Sequence, residues 1–237
     1  MRLSPRQADE AGRALAGASP EQIVRWAWEL FRGEAVLSSS FQPQSLPLLH
    51  IVSRVAPQMP VLFLDTGHHF EETLAFRDRI VGAWALNLQV VRPDPDLDPG
   101  GDLHRSDPQR CCYLRKVVPM RRALEQYRAW VTGIRPDQTP ERSGLQPVEW
   151  VSAELVRVHP LASWRAGDVQ RYREEHQLPR SPLSRLGYES VGCAPCTAPP
   201  ASREQPREGR WPGTGQTECG LHTDPGLRAA QAPGDVR

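Results

Sequence analysis

Apolar positions along this chain follow two periods in turn, and the alternation between them sets the expected architecture. Residues 3–17 and 20–32 carry the spacing of amphipathic helices, the second opening on Ser19-Pro20 as cap and first-turn proline. A short apolar run, Ala35-Val36-Leu37, then ends in Ser38-Ser39-Ser40 and predicts a buried strand entering a polar loop. Residues 44–55 place Leu46, Leu49, Val52 and Val55 on one helical face. Val61-Leu62-Phe63-Leu64-Asp65 predicts a second buried strand, 70–83 a crossover helix, 88–91 a third strand and 129–133 a fourth. Residues 92–110 are broken by Pro93, Pro95, Pro99, Gly100 and Gly101 and predict a loop, and 112–127 a helix despite Pro119. Strands alternating with helices predict an α/β fold, a mostly parallel sheet covered by helices on both faces. In such sheets a ligand lies beyond the carboxyl ends of the strands. Ser38–Ser40, Asp65-Thr66-Gly67 and Thr132-Gly133 all fall there. The predicted organisation is one nucleotide-binding α/β unit over 1–196 and a tail over 197–237. That tail holds six prolines and six glycines in 41 residues and is expected to be irregular and mobile.

Composition narrows the chemistry. The 237 residues suffice for a full core without disulfide staples. With 29 basic and 28 acidic residues the formal charge is +1, which argues against a general polyanion binder such as a nucleic-acid protein. No apolar run reaches the ~20 residues of a membrane span, and Met1 to Glu10 carry no signal-peptide stretch. The expected compartment is therefore the cytoplasm, where clustered cysteines read as metal-binding or catalytic. A single lysine, Lys116, stands among the 29 cations, four residues after Cys112. A compact three-donor ammonium in that one place suggests a position a planar guanidinium would not fit.

Five cysteines fall in three groups: Cys111-Cys112, Cys193-x-x-Cys196 and Cys219. Neighbouring side chains on a helix point roughly 100° apart. Reaching one zinc ion from both members of the adjacent pair would strain the backbone, whereas a 4Fe–4S cube offers a separate iron to each thiolate. The pattern favours the cluster over structural zinc or a redox-active Cys-x-x-Cys.

Several motifs then carry a resemblance. Cys111-Cys112-Tyr-Leu-Arg115-Lys116, Thr132-Gly133-Ile-Arg135-Pro-Asp137-Gln138-Thr-Pro-Glu-Arg142, Gly192-Cys193-Ala-Pro-Cys196-Thr197 and Glu218-Cys219-Gly220-Leu221-His222, with Leu64-Asp65-Thr66-Gly67 and His159-Pro160-Leu161-Ala162-x-Trp164, resemble the thioredoxin-dependent assimilatory adenylylsulfate reductases. The likeness runs from about residue 20 to 223. It implies an adenine nucleotide alpha hydrolase-like fold and one 4Fe–4S cluster per chain on Cys111, Cys112, Cys193 and Cys196. It also implies adenosine 5′-phosphosulfate (APS) as substrate and a thioredoxin or glutaredoxin-like electron donor. A homo-oligomer is compatible with it. The resemblance makes Cys219 the nucleophile that forms an S-sulfocysteine, with His222 and Lys116 assisting. The substrate contacts it implies are Ser38, Ser40, Asp65, Thr66, Gly67, Arg115, Gly133, Arg142, Arg207 and Arg210. Relatives usually read Ser-Phe-Gly after the first strand; here Gln42 replaces the glycine.

Other classes fit less well. Family members that lack the paired cysteines use the 3′-phosphorylated nucleotide (PAPS), the nearest rival. An ATP pyrophosphatase would need a Ser-Gly-Gly-x-Asp-Ser loop, which Ser38–Ser45 lacks. A zinc-stabilised interaction module would leave Cys219 and the Arg207/Arg210 spacing without a purpose.

Overall fold

The computed structural model describes residues 1–188, 190–200, 207–214, 216, 218–224 and 226–227. The expected continuation of the tail over 228–237 lies outside them. Helices α1 (Pro5–Ala14) and α2 (Pro20–Phe31) each begin in a capping box. In α2 the Ser19 hydroxyl accepts from the Gln22 N–H while the Gln22 side chain accepts from the Ser19 N–H at 2.8 Å. The α2 helix stops where Arg32 and Gly33 enter positive φ. There follow β1 (Ala35–Ser38), α3 (Leu46–Val55), β2 (Pro60–Leu64), α4 (Glu71–Trp84) and β3 (Asn87–Val91), close to the expected ranges.

The stretch expected to be loop holds short helices α5 (Leu103–Ser106) and α6 (Pro108–Cys112). Helix α6 forms because Asp107 caps it, accepting from the Arg110 N–H at 3.0 Å, and Pro108 occupies the first turn, where no N–H is missed. The cysteine pair thus ends a helix rather than opening one. A π turn over Tyr113–Val117 links it to α7 (Val118–Leu124), so Pro119 is absorbed where the hydrogen-bond register widens: Val118 N–H reaches back to Tyr113. Beyond β4 (Ala129–Thr132) the chain forms a hairpin, β5 (Val148–Ser152) and β6 (Leu155–Val158), then α8 (Ala166–Glu175) and α9 (Pro182–Arg185).

The six strands lie in the order β3-β2-β1-β4-β6-β5, all parallel except β5. Side-chain alternation divides the sheet into two cores. Leu37, Val61, Phe63, Ala129 and Val131 face α1 to α4, whereas Val36, Leu62 and Trp130 face α7. The expectation of helices on both faces holds. Among the described residues no helix is long and apolar enough to cross a membrane.

The described part of the tail is irregular, as expected, but tied to the body. Trp211 and Leu227 are 3% and 2% exposed, and Leu227 completes the α7-side core. Thr197 bridges to Arg210.

Candidate active site

Strand order reverses direction between β1 and β4, and a cavity opens at the carboxyl ends there, as such switch points dictate. Ser38 and Thr132 are register partners across β1 and β4 and both line it. Ser39, Ser40, Thr66 and Gly133 add loop atoms. Lys116 enters from the π turn, Cys193 from the segment after α9, and Arg207, Arg210, Cys219 and His222 from the tail.

Cys111, Cys112, Cys193 and Cys196 are all buried, and none of the five cysteines forms a disulfide. Burial first, then the neighbouring thiols, push Cys111 up to about 12; the same causes raise Cys196. Cys112 is raised mainly by burial against the counter-pull of Lys116. Four thiols so deep and so close to one another are a poor arrangement for free sulfhydryls and a suitable donor set for a metal–sulfur group. Among the described residues no three His, Cys, Asp or Glu side chains close on a single ion. Thr66 Oγ1 lies 3.2 Å from Cys193 Sγ, so the β2 loop and the Cys-x-x-Cys segment are in direct contact. Burial alone would depress Lys116; the sulfurs of Cys193, Cys219 and Cys112 outweigh it and hold the ammonium above its usual pKa. The one lysine is therefore a buried cation lining the cavity within the field of Cys193, Cys219 and Cys112.

Cys219 is partly buried and packs against Cys193, Cys196 and Trp211. The chain is pinned on both sides of it. Upstream, Glu218 pairs with Arg142 at 2.8 Å and Arg207 at 3.6 Å. Downstream, Asp224 accepts from Arg121 Nε at 2.9 Å, and Leu227 C=O accepts from Arg157 at 3.3 Å. His222 stacks on Trp130 with ring centroids 5.5 Å apart. Burial, then the positive field of Arg142 and Arg157, hold it well below the usual histidine pKa, so it is neutral at pH 7.

Not every expected contact reaches the cavity. Arg115 is committed to Asp98, at 2.9 and 2.6 Å, and to Thr66 C=O at 3.0 Å; it fastens the β2 loop and does not line the cavity. Asp65 pairs with Arg92 at 3.2 Å and caps Gly67 N–H, and neither Asp65 nor Gly67 is in the lining. These three expected substrate contacts lie outside the lining: adjacency to Thr66 and Lys116 in sequence does not give them the same direction in space. Ser40 lines the cavity but is shared with Ser45, at 3.3 Å. Arg210 donates to Val191 C=O at 3.1 Å and lies over Trp211. The unexpected Gln42 accepts from Val191 N–H at 3.3 Å, tying the β1 loop to the segment that leads to Cys193. Thr132 lines the cavity at the strand end where the sequence put it; Glu218 and His69 line it without having been expected there, and although Glu218 lies inside a quoted motif, no local pattern marks it as pocket-facing.

Behind Thr132 lies a buried relay. Thr132 Oγ1 is 2.8 Å from His159 Nδ1, and His159 Nε2 is 3.2 Å from Glu149 Oε2. Burial pulls His159 down to about 4 despite the Glu149 bond. The unfolded chain, with a histidine pKa of 6.5, takes up a proton first on acidification, so this group's stabilising contribution is complete above pH 6.5 and lost toward pH 4. The loss amounts to roughly 3 kcal/mol, about 2 of it by pH 5. Urea unfolding at pH 7 and pH 5 measures it; identical midpoints would contradict a buried neutral His159.

Comparison with known proteins follows the same lines. A family model described as phosphoadenosine phosphosulfate reductase domain matches residues 34–199. An adenosine 5′-phosphosulfate reductase of Mesorhizobium japonicum is 44% identical, covering 85% of this chain and 81% of that protein. One of Mycolicibacterium smegmatis is 42% identical, covering 92% and 94%. The crystal structure of a phosphoadenylyl-sulfate reductase from Candida auris in complex with phosphate superimposes with a TM-score of 0.72 at 27% identity, covering 82% of this chain and 97% of that one.

Proposed function

The chain belongs to the phosphoadenosine phosphosulfate reductase family, and from that membership we propose that it reduces APS to sulfite and AMP with thioredoxin, through an S-sulfocysteine on Cys219. The observation that carries this reading is the placement of Cys219 in the strand-end cavity beside Lys116 and the four buried thiols.

The chemistry needs little more. Cys219 attacks as thiolate; its sulfur bonds to the sulfate sulfur, the sulfur–oxygen bond of the anhydride breaks, and AMP leaves with the electron pair. A thioredoxin thiolate then attacks Cys219 Sγ, releasing sulfite, and the second thioredoxin thiol frees Cys219 by disulfide exchange. The two electrons come from the dithiol. Lys116, Arg207 and Arg210 supply positive charge where the phosphosulfate oxygens bind, and Ser38, Thr66, Thr132 and Gly133 face the nucleoside. The neutral His222 acts as a hydrogen-bonding group beside the nucleophile and not as a cation. Cys111, Cys112, Cys193 and Cys196 would hold a 4Fe–4S cluster, which when bound supplies a fixed electrostatic anchor next to Lys116.

Cys219 must also leave the cavity to meet a protein reductant. The Glu218–Arg142 and Asp224–Arg121 pairs bracket it and set that equilibrium. Asp224→Ala is expected to raise the rate of Cys219 alkylation by iodoacetamide about fivefold in nucleotide-free protein, the equivalent of ~1 kcal/mol; an unchanged rate would show that the downstream pair does not hold the loop. Sulfite release from APS and from PAPS, each with reduced thioredoxin, tests the function itself. The expected result is rapid release from APS; faster release from PAPS would move the protein to the other branch of its family.

A further inference from the structure

The hydroxyl of Thr132 has its hydrogen-bonding direction dictated from behind, and that constrains what the cavity accepts. Burial works against the Glu149 charge, but the His159 hydrogen bond and the field of His159 and Arg157 together outweigh it and keep the carboxyl below its usual range, so Oε2 can only accept. His159 Nε2, 3.2 Å away, must therefore carry the ring proton. His159 is fully buried and neutral at pH 7, which leaves Nδ1 as a bare acceptor. Nδ1 is 2.8 Å from Thr132 Oγ1, so the threonine hydroxyl must donate to it. Its one proton is consumed, and Thr132 presents only lone pairs to the cavity it lines. The register partner, Ser38, is in the opposite state. Trp130 Nε1–H, which can only donate, points at Ser38 Oγ at 2.8 Å, so Ser38 accepts there and keeps its own proton to give.

We propose that Thr132 is a specificity-determining residue of the nucleotide site, an obligatory acceptor that selects a hydrogen-bond donor on the bound nucleoside, with His159 and Glu149 as the positioning residues that impose its polarity. The proposal deepens the APS-reductase reading and rests on it. The shared ligand chemistry is an N–H or O–H group, supplied by the exocyclic amine of adenine or by a ribose hydroxyl. A group that can only accept, brought to the same place, would face lone pairs with no proton between them, and buried polar mismatches of that kind discriminate strongly.

The test is a binding cycle by calorimetry on cluster-loaded protein, with AMP, IMP, 2′-deoxy-AMP and 3′-deoxy-AMP as probes. Thr132→Val is expected to weaken AMP about tenfold. One of the three analogues, the one lacking the recognised donor, should bind wild type and Thr132→Val equally; which one identifies amine or hydroxyl. Thr132→Ser, which keeps the hydroxyl, should restore the wild-type pattern. Equal further losses for all three analogues, or no loss for AMP, would overturn the assignment. Should Thr132→Val fail to fold, nitrogen NMR of His159 in the wild-type protein decides it: the Nε2–H tautomer is expected, and the Nδ1–H tautomer would sink the relay. Wild-type protein that binds AMP while either contrary result is found refutes the relay alone; wild-type protein that binds no AMP refutes the underlying reading of the site.

Discussion

Cys219→Ser abolishes sulfite release, by at least ~10⁴-fold, while leaving iron content and AMP affinity intact. Removal of a covalent nucleophile has effects of that order because no neighbouring group takes over its bond-forming role. The other four thiols do not substitute: burial holds Cys111 near 12 and raises Cys112 and Cys196, so free thiols at those positions would be protonated and inert, and Cys193 is buried against the Thr66 hydroxyl. Serine keeps the volume and a weak donor, so the packing against Cys193, Cys196 and Trp211 should persist. Sulfite assay, iron determination and calorimetry with AMP on the same preparation check the three parts. Loss of iron together with activity would make Cys219 a ligand, and the division of the five cysteines would then be wrong.

Lys116→Gln lowers the rate of sulfonate transfer to Cys219 by about 10²–10³-fold, with a smaller effect on AMP binding. An ammonium held against three sulfurs stabilises charge that builds on the attacked sulfate and on the departing phosphate, and fixed cations of this kind are worth a few kcal/mol in a water-poor site. Glutamine retains length and hydrogen bonding but no charge. Single-turnover adduct formation, followed by rapid quench, separates this step from the thioredoxin step. Equal losses in transfer rate and AMP affinity would mean that Lys116 only binds the nucleotide.

Much of this arrangement could be read from residue order. Strands β1, β2 and β4 are short apolar runs, and their ends place Ser38, Thr66 and Thr132-Gly133 at one crevice before any coordinates are known. The β5–β6 hairpin, which lies between the quoted motifs, is not legible in the same way, because charged Glu149 and Arg157 interrupt its apolar positions. Helix α6 carried a legible cap, Asp107-Pro108, obscured by the prolines and glycines of the preceding loop. What residue order could not convey is the pinning of the tail. Arg121 and Asp224 are 103 positions apart, and Arg142 and Glu218 are 76 apart. Such pairs leave no periodic trace. Nor does residue order convey that the π turn directs Arg115 to Asp98 while its neighbour Lys116 lines the cavity.

The central claim is that a single thiol forms the covalent bond while the other four stay together as an anchor. Peptide mass spectrometry after one turnover with ³⁵S-labelled APS, without thioredoxin, tests it most directly. The account predicts one labelled sulfonate per chain, on the peptide containing Cys219, released as sulfite when thioredoxin is added. Label on a peptide containing Cys111, Cys112, Cys193 or Cys196, or sulfite released with no protein-bound label, would contradict it.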